Sequence, residues 1–309
     1  MEQEIEESTI TQRTALFERT ALVNTRGKPV DEERLITALQ QNPSGSKVVS
    51  LHVSETSLLK TLGVALPLKN LQHVRIAGRH LCDYQALRAL GGLRELTVEV
   101  QRRSVPLPDL TQSKIAQLGI GPTLKNEPAM IGGMKSLRTL VLVYAWPEST
   151  LRALSPLTLI SLEIKTSTIS EIGELDCREL AFFACRGCVR LVSAHGVDAE
   201  NVDVDTCRKL DLKTLSGERI KVLALRNMKR IDDMGFLKNC PNLEELEVAA
   251  ATRLSPDCVT QIAAAKQLAR ADLYGLKKQD LQRLSTLAKD AVITDGWNTF
   301  RGGLEVAPE

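Results

Sequence analysis

The pattern Leu-x-x-Leu-x-Leu, with aliphatic replacements, recurs along most of this chain at nearly constant spacing, and no other feature constrains the fold as strongly. Leu93-x-x-Leu96-x-Val98 and Leu137-x-x-Leu140-x-Leu142 are clear copies, joined by Leu71-x-x-Val74-x-Ile76, Ile115-x-x-Leu118-x-Ile120, Leu159-x-x-Leu162-x-Ile164, Ile220-x-x-Leu223-x-Leu225 and Leu243-x-x-Leu246-x-Val248. The middle apolar residues fall at Leu51, Val74, Leu96, Leu118, Leu140, Leu162, Leu180, Val202, Leu223, Leu246 and Ala271, giving intervals of 23, 22, 22, 22, 22, 18, 22, 21, 23 and 25. A last degenerate copy is expected to centre on Ala291. Each unit reads as a short strand that buries alternate side chains, turns, crosses an outer side and returns about 4.8 Å further along. No unit can bury its own apolar edge, so eleven or twelve copies must stack on a shared core.

The outer segments are too short for full crossover helices. Ile169-x-x-Ile172-x-x-Leu175 suits an irregular or 3-10 arm, whereas the 25-residue step containing Val259, Ile262 and Ala263 has room for a helical one. These residues resemble the leucine-rich-repeat superfamily, and the 22-residue unit is similar to the bacterial internalin-like class. The resemblance covers roughly residues 48 to 293. It implies an α/β fold: a curved parallel sheet on the concave side, with short 3-10, irregular or helical arms on the convex side. It also implies a bacterial source. The family's asparagine, five residues after the middle leucine, is replaced here by Thr56, Arg79, Gln101, Thr123, Ala145, Ser167, Cys185, Cys207, Met228, Ala251 and Leu276. Few of these bond as asparagine does, so a partial ladder is expected.

A stack needs covers at both ends. Residues 1–45 read as a polar, mobile start followed by a capping helix from Asp31, with Leu35, Ile36 and Leu39 turned to the first strand; residues 46–294 form the solenoid; residues 295–309 form a C-terminal cap in which Trp297 and Phe300 seal the core, a binding hot spot being the alternative for these two aromatics. Because aromatics are only 3% of the chain, the core between those ends must be aliphatic.

Forty Lys and Arg against 38 Asp and Glu give a net charge of +2, which argues against nucleic acid or a membrane surface as the partner. The acidic start Met1-Glu2-Gln3-Glu4 lacks the character of a secretory leader, so a cytoplasmic protein with free cysteines is expected. Cys185-x-x-Cys188, with Cys177 and Cys207 nearby, has metal-knuckle spacing, yet Cys185 and Cys207 fall on ladder positions. A structural reading is therefore preferred, and no metal or cofactor is expected. Four histidines, His52, His73, His80 and His195, form no recognisable catalytic signature, and no catalytic residue is assigned.

Function is expected on the strand side chains that face away from the core. Flanking the middle residues are Glu163, Glu179, Asp203, Glu245, Glu247 and Asp272, with Asp205 close by; Lys165, Lys221, Arg226 and Arg270 are the fewer bases. Stacked at one strand spacing, the carboxylates predict a negative patch, with Phe183 and Tyr274 as aromatic anchors beside it. Early repeats, with His52, His73, Arg75 and Arg94, are less acidic. The sequence therefore points to a non-catalytic monomer that binds another protein with a basic surface, as an inhibitor or immunity protein for a cationic toxin such as a nuclease or as an adaptor. An enzyme with an unrecognised site in the concave cleft is the competing class.

Overall fold

The computed structural model describes residues 10–13, 20–23, 31–41, 47–100, 105–122, 124, 127–144, 146, 149–173, 179–250 and 252–307. The chain divides into two compact units, Met1–Tyr144 and Ala145–Glu309.

In the first unit β1 (Ile10–Arg13) pairs antiparallel with β2 (Thr20–Val23), and β2 runs parallel to β3 (Ser50–Val53). β4 (His73–Ile76), β5 (Glu95–Val98), β6 (Gln117–Ile120) and β7 (Thr139–Val143) follow in parallel. The register sets Leu51, Val74, Leu96, Leu118 and Leu140 side by side, the column that the spacing predicts, and adds Ala21 of β2 opposite Leu51. The N-terminal region thus adds a hairpin that its polar composition did not reveal; residues 1–9 lie outside the described residues. Helix α1 (Glu32–Gln41) forms where the sequence places one. Asp31 Oδ1 accepts the Arg34 amide, and Leu35 and Leu39 are buried. The Glu32 carboxylate accepts the Lys60 amide and the Thr61 hydroxyl, tying the helix to the loop after β3. A second helix, α2 (Glu127–Gly132), precedes β7.

The second unit opens with α3 (Ser149–Ala153) and β8 (Ser161–Lys165). β9 (Glu171–Ile172) pairs parallel with β11 (Ser193–Ala194) to make a two-stranded ribbon apart from the main sheet. β8 continues in parallel through β10 (Phe182–Arg186), β12 (Asn201–Asp205), β13 (Val222–Arg226) and β14 (Glu245–Ala249). After helix α4 (Cys258–Ala263) comes β15 (Arg270–Leu273), and after helix α5 (Lys278–Leu287) comes β16 (Val292–Thr294). β17 (Thr299–Arg301) and β18 (Leu304–Val306) close this sheet in antiparallel fashion. The long step thus holds the expected helical arm, and shorter arms at Leu212–Thr214 and Gly235–Asn239 are 3-10 turns. No helix among the described residues is long and apolar enough to cross a membrane.

The structure departs from the repeat spacing at two places. The repeat assigned to Leu180 centres on Phe183, which pairs with Leu162 and Val202 and is 0% exposed. Leu180 is instead the first apolar position of that copy, equivalent to Leu159. The last repeat centres on Ile293, opposite Ala271, not on Ala291. At the C-terminal end Phe300 faces Ile293 and is 1% exposed, as expected, but Trp297 sits in the β16–β17 turn at 86% exposure and seals nothing. That turn is held by the Asp295 carboxylate, which accepts the amides of Trp297 and Asn298.

A backbone regularity organises these turns. Four residues after the middle position, Tyr144, Thr166, Gly187, Thr206, Asn227, Ala250 and Gly275 all have positive φ, between 49° and 89°. From β7 to β15 a left-handed residue follows each strand of this column and precedes the ladder position. Side chains with a Cβ are strained there, β-branched threonine most of all. Gly187, at φ 68°, escapes this strain, and a Cβ on it would lie 3.3 Å from Thr166 Cγ2. Gly187→Ala is expected to destabilise the protein by about 1–2 kcal/mol, read as a lower midpoint in urea unfolding with unchanged m.

Candidate functional site

The face of the sheet opposite the core is the candidate site, and each unit carries its own part of it. In the second unit the column immediately after the middle residue reads Glu163, Ala184, Asp203, Ala224, Glu247 and Asp272 across β8, β10, β12, β13, β14 and β15. Two positions further along each strand stand Lys165, Arg186, Asp205, Arg226 and Ala249. Where the first column has alanine, the second has arginine. The small side chains at 184 and 224 let each guanidinium lie between carboxylates of the flanking strands.

The ion pairs follow that pattern. Arg186 Nη2 donates to Asp203 Oδ2 at 2.7 Å, and its Nη1 lies 3.2 Å from Glu163 Oε1 without hydrogen-bond geometry. Arg226 Nη1 donates to the other Asp203 oxygen at 2.8 Å, while its Nε and Nη2 take both oxygens of Glu247. Lys165 Nζ is 2.9 Å from Glu163 Oε2, and Arg270 Nε is 3.1 Å from Asp272 Oδ2. Asp205 accepts from Thr206 Oγ1 at 2.7 Å and Asn227 Nδ2 at 2.8 Å. The predicted negative patch is thus a ladder of alternating charge running Glu163, Arg186, Asp203, Arg226, Glu247. Asp203 is the most enclosed member, its side chain only 9% exposed, and a guanidinium meets each of its oxygens. The Glu247 carboxylate, followed by Asp203, holds the Arg226 guanidinium above its ordinary pKa.

Most residues expected on this face are there: Glu163, Asp203, Asp205, Arg226, Glu245, Glu247, Asp272 and the half-exposed Tyr274. Two are not. Phe183 is a core residue, and Glu179 sits exposed in the turn before β10, because the strand begins three residues later than the spacing suggests. The same shift hid Arg186, whose signal was its Leu180-x-x-Phe183-x-Cys185 context. Lys221 lies before β13, 3.5 Å from Glu200, and is no part of the ladder.

The first unit pairs its charges more loosely. His73 Nδ1 lies 3.0 Å from Glu95 Oε2 and Arg75 Nη2 is 2.8 Å from Glu99, both on adjacent strands. His52, opposite Arg75, has its pKa lowered by burial and by that guanidinium.

Beneath the second unit's face lies a group of sulfurs. With β10 centred on Phe183, Cys188 and Cys207 take the ladder position and Cys185 takes the third core position of its copy. Cys188 Sγ is 3.7 Å from the Ile164 carbonyl and Cys207 Sγ is 3.4 Å from the Cys185 carbonyl, each thiol donating to the strand before it. All three sulfurs are buried and within 4.8 Å of one another. Hydrogen bonds from its neighbours lower the Cys188 pKa, whereas those with Cys188 and Cys207, and then burial, raise that of Cys185. Cys177 lies outside the described residues.

No family model matches the chain, nor does any curated protein. Among solved structures it is similar to the leucine-rich-repeat protein LIC12759 of Leptospira interrogans, at 17% identity over 83% of this chain and 73% of that one, with a TM-score of 0.52. Internalin InlF of Listeria monocytogenes aligns at 14% identity over 84% and 86% of the two chains, TM-score 0.45, and internalin C2 of the same organism at 18% over 76% and 88%, TM-score 0.31. The fold is that of the leucine-rich-repeat proteins.

Arg226→Ala removes a bidentate partner from Glu247 and one of two guanidinium partners from Asp203. It is expected to cost about 1–2 kcal/mol in chemical unfolding, discounted for the partly solvated setting. Arg226→Lys should recover less than half of that, since an ammonium cannot span both carboxylates as a planar fork.

Proposed function

We propose that the protein is a non-catalytic binding module that engages another protein through the open face of its sheet. The observation that carries this reading is the ladder itself. Charged side chains that would otherwise be long and mobile are held at one strand spacing by mutual ion pairs, so the face is ordered before any partner arrives. A pre-ordered surface loses less side-chain entropy on binding, and Arg and Tyr, both present here, are enriched at binding hot spots.

The pairing also bears on the partner. Six carboxylates, Glu163, Asp203, Asp205, Glu245, Glu247 and Asp272, face four cations, Lys165, Arg186, Arg226 and Arg270, so the residual charge is small. A general mimic of nucleic acid would present unpaired acid. An inhibitor or immunity protein for a cationic toxin therefore draws support only from the residual carboxylates, Glu245 above all, which is exposed. A partner that offers both signs of charge, as an adaptor's client would, fits the ladder better. Two shallow grooves in the second unit lie among charged loops, one at Glu200, Arg219 and Glu244 and one at Arg208, Lys213 and Asp233, and neither has a histidine or cysteine in its lining. That setting favours binding over catalysis. The described cysteines are all free, which suits a reducing, cytoplasmic compartment.

The test uses the full chain as bait in an extract of its own cells. Arg226→Ala combined with Glu247→Ala leaves the charge balance unchanged and should lose at least tenfold of the captured partner. Lys278→Ala with Glu305→Ala, which removes an ion pair between α5 and β18, should lose none. Equal loss in both variants, or in neither, contradicts the open face as the binding surface.

A further inference from the structure

We propose that Cys185, Cys188 and Cys207 form a three-coordinate sulfur site for a soft monovalent cation, cuprous copper. Hydrogen bonding at the ladder accounts for Cys188 and Cys207, whose neighbour in the preceding turn is Ser167. It does not account for Cys185. That residue takes the third core position, which is Ile164, Val204, Leu225, Val248 or Leu273 in the other strands of this unit. Only in this repeat does a sulfur stand there, and it stands where the ladder brings two more.

The geometry suits one ion. Cys185 and Cys207 Sγ are 3.7 Å apart and all three sulfurs lie within 4.8 Å of each other. Metal–sulfur bonds of about 2.3 Å in a trigonal plane would set sulfurs about 4 Å apart, so a small inward rotation of the side chains closes the site. The choice of ion follows from what is missing. Among the described residues no histidine, carboxylate or fourth cysteine completes the group. Burial keeps water from the fourth position that a tetrahedral zinc centre needs. Hard cations are excluded by the all-sulfur donor set; of the ions and clusters that thiolates favour, Cu(I), zinc and iron–sulfur clusters, Cu(I) is the one that three sulfurs satisfy. Binding displaces thiol protons to solvent, and loss of a single proton already leaves the site neutral, as apolar surroundings require. The bound ion would join β10 and the turn that follows it to the turn after β12.

The test is anaerobic titration of the reduced full chain with Cu(I) against a chromophoric cuprous chelator, with Zn(II) in a parallel series. The comparison variant is Cys185→Val with Cys188→Ser and Cys207→Ser, which copies the residues of neighbouring repeats and retains Cys82, Cys177, Cys240 and Cys258. The wild type is expected to take one equivalent of Cu(I), with X-ray absorption showing sulfur neighbours only, and to unfold at a higher temperature when loaded. The triple variant should bind at least tenfold more weakly and show no thermal shift. Should it not fold, Cys185→Val alone is expected to lose the thermal shift. Equal copper affinity in wild type and variant, light-atom ligands on the copper, or preferential stoichiometric zinc binding overturns the proposal.

Discussion

Everything in this protein depends on parallel strands that stack in strict register. The middle residue of each copy is useless alone, since it is an apolar side chain on the edge of a strand of three to five residues. It becomes core only when the copies on either side supply the same position, as Leu162, Phe183, Val202, Leu223, Leu246, Ala271 and Ile293 do in the second unit. Fully burying one such side chain contributes about 1.5–3 kcal/mol, and the gain is shared across neighbours, so stability accumulates by nearest-neighbour contact. The same register fixes the other face without any further rule. A residue one position along from the core lines up with its equivalents at one strand spacing, and its chemistry is decided by theirs.

That coupling explains how the ladder is built. Acid, alanine, acid, alanine, acid along one column leaves room above each alanine, and arginine two positions further on fills it. Carboxylates at this density would repel if left alone, yet each guanidinium meets two of them. The three sulfurs arise from the same bookkeeping of positions, two from the ladder and one from the core column, brought together where repeats of unequal length meet.

The repeat, its period, helix α1, the helical arm near Val259 and the identity of most open-face residues were legible in the sequence, because hydrophobic period and turn chemistry act locally. What was not legible was the one place where the period breaks. Leu180 and Phe183 both satisfy an apolar position; an 18-residue interval would put Glu179 on the open face and Phe183 off the core, whereas the 21-residue interval of the structure buries Phe183 and brings Arg186 to the face. A slip of three residues alters which side chains meet, and pairing across strands, not composition, decides between the two registers. Trp297 failed for a different reason. Aromaticity suggested burial, but an Asp-Gly turn closed by the Asp295 carboxylate leaves its side chain outside. The left-handed residues after β7 to β15 gave little sequence signal, since only Gly187, Asn227 and Gly275 among them are residue types that favour positive φ.

Whether the open face is a compensated ladder or a repelling acidic patch can be decided by the sign of one substitution. Asp203→Asn removes a negative charge at the centre of the face without changing its shape, and its effect on unfolding free energy can be followed from low to high sodium chloride. The ladder requires a loss of stability at low salt that shrinks as salt screens the pairs. A gain of stability at low salt, fading with added salt, would mean that the carboxylates repel one another and that the arginines do not hold them.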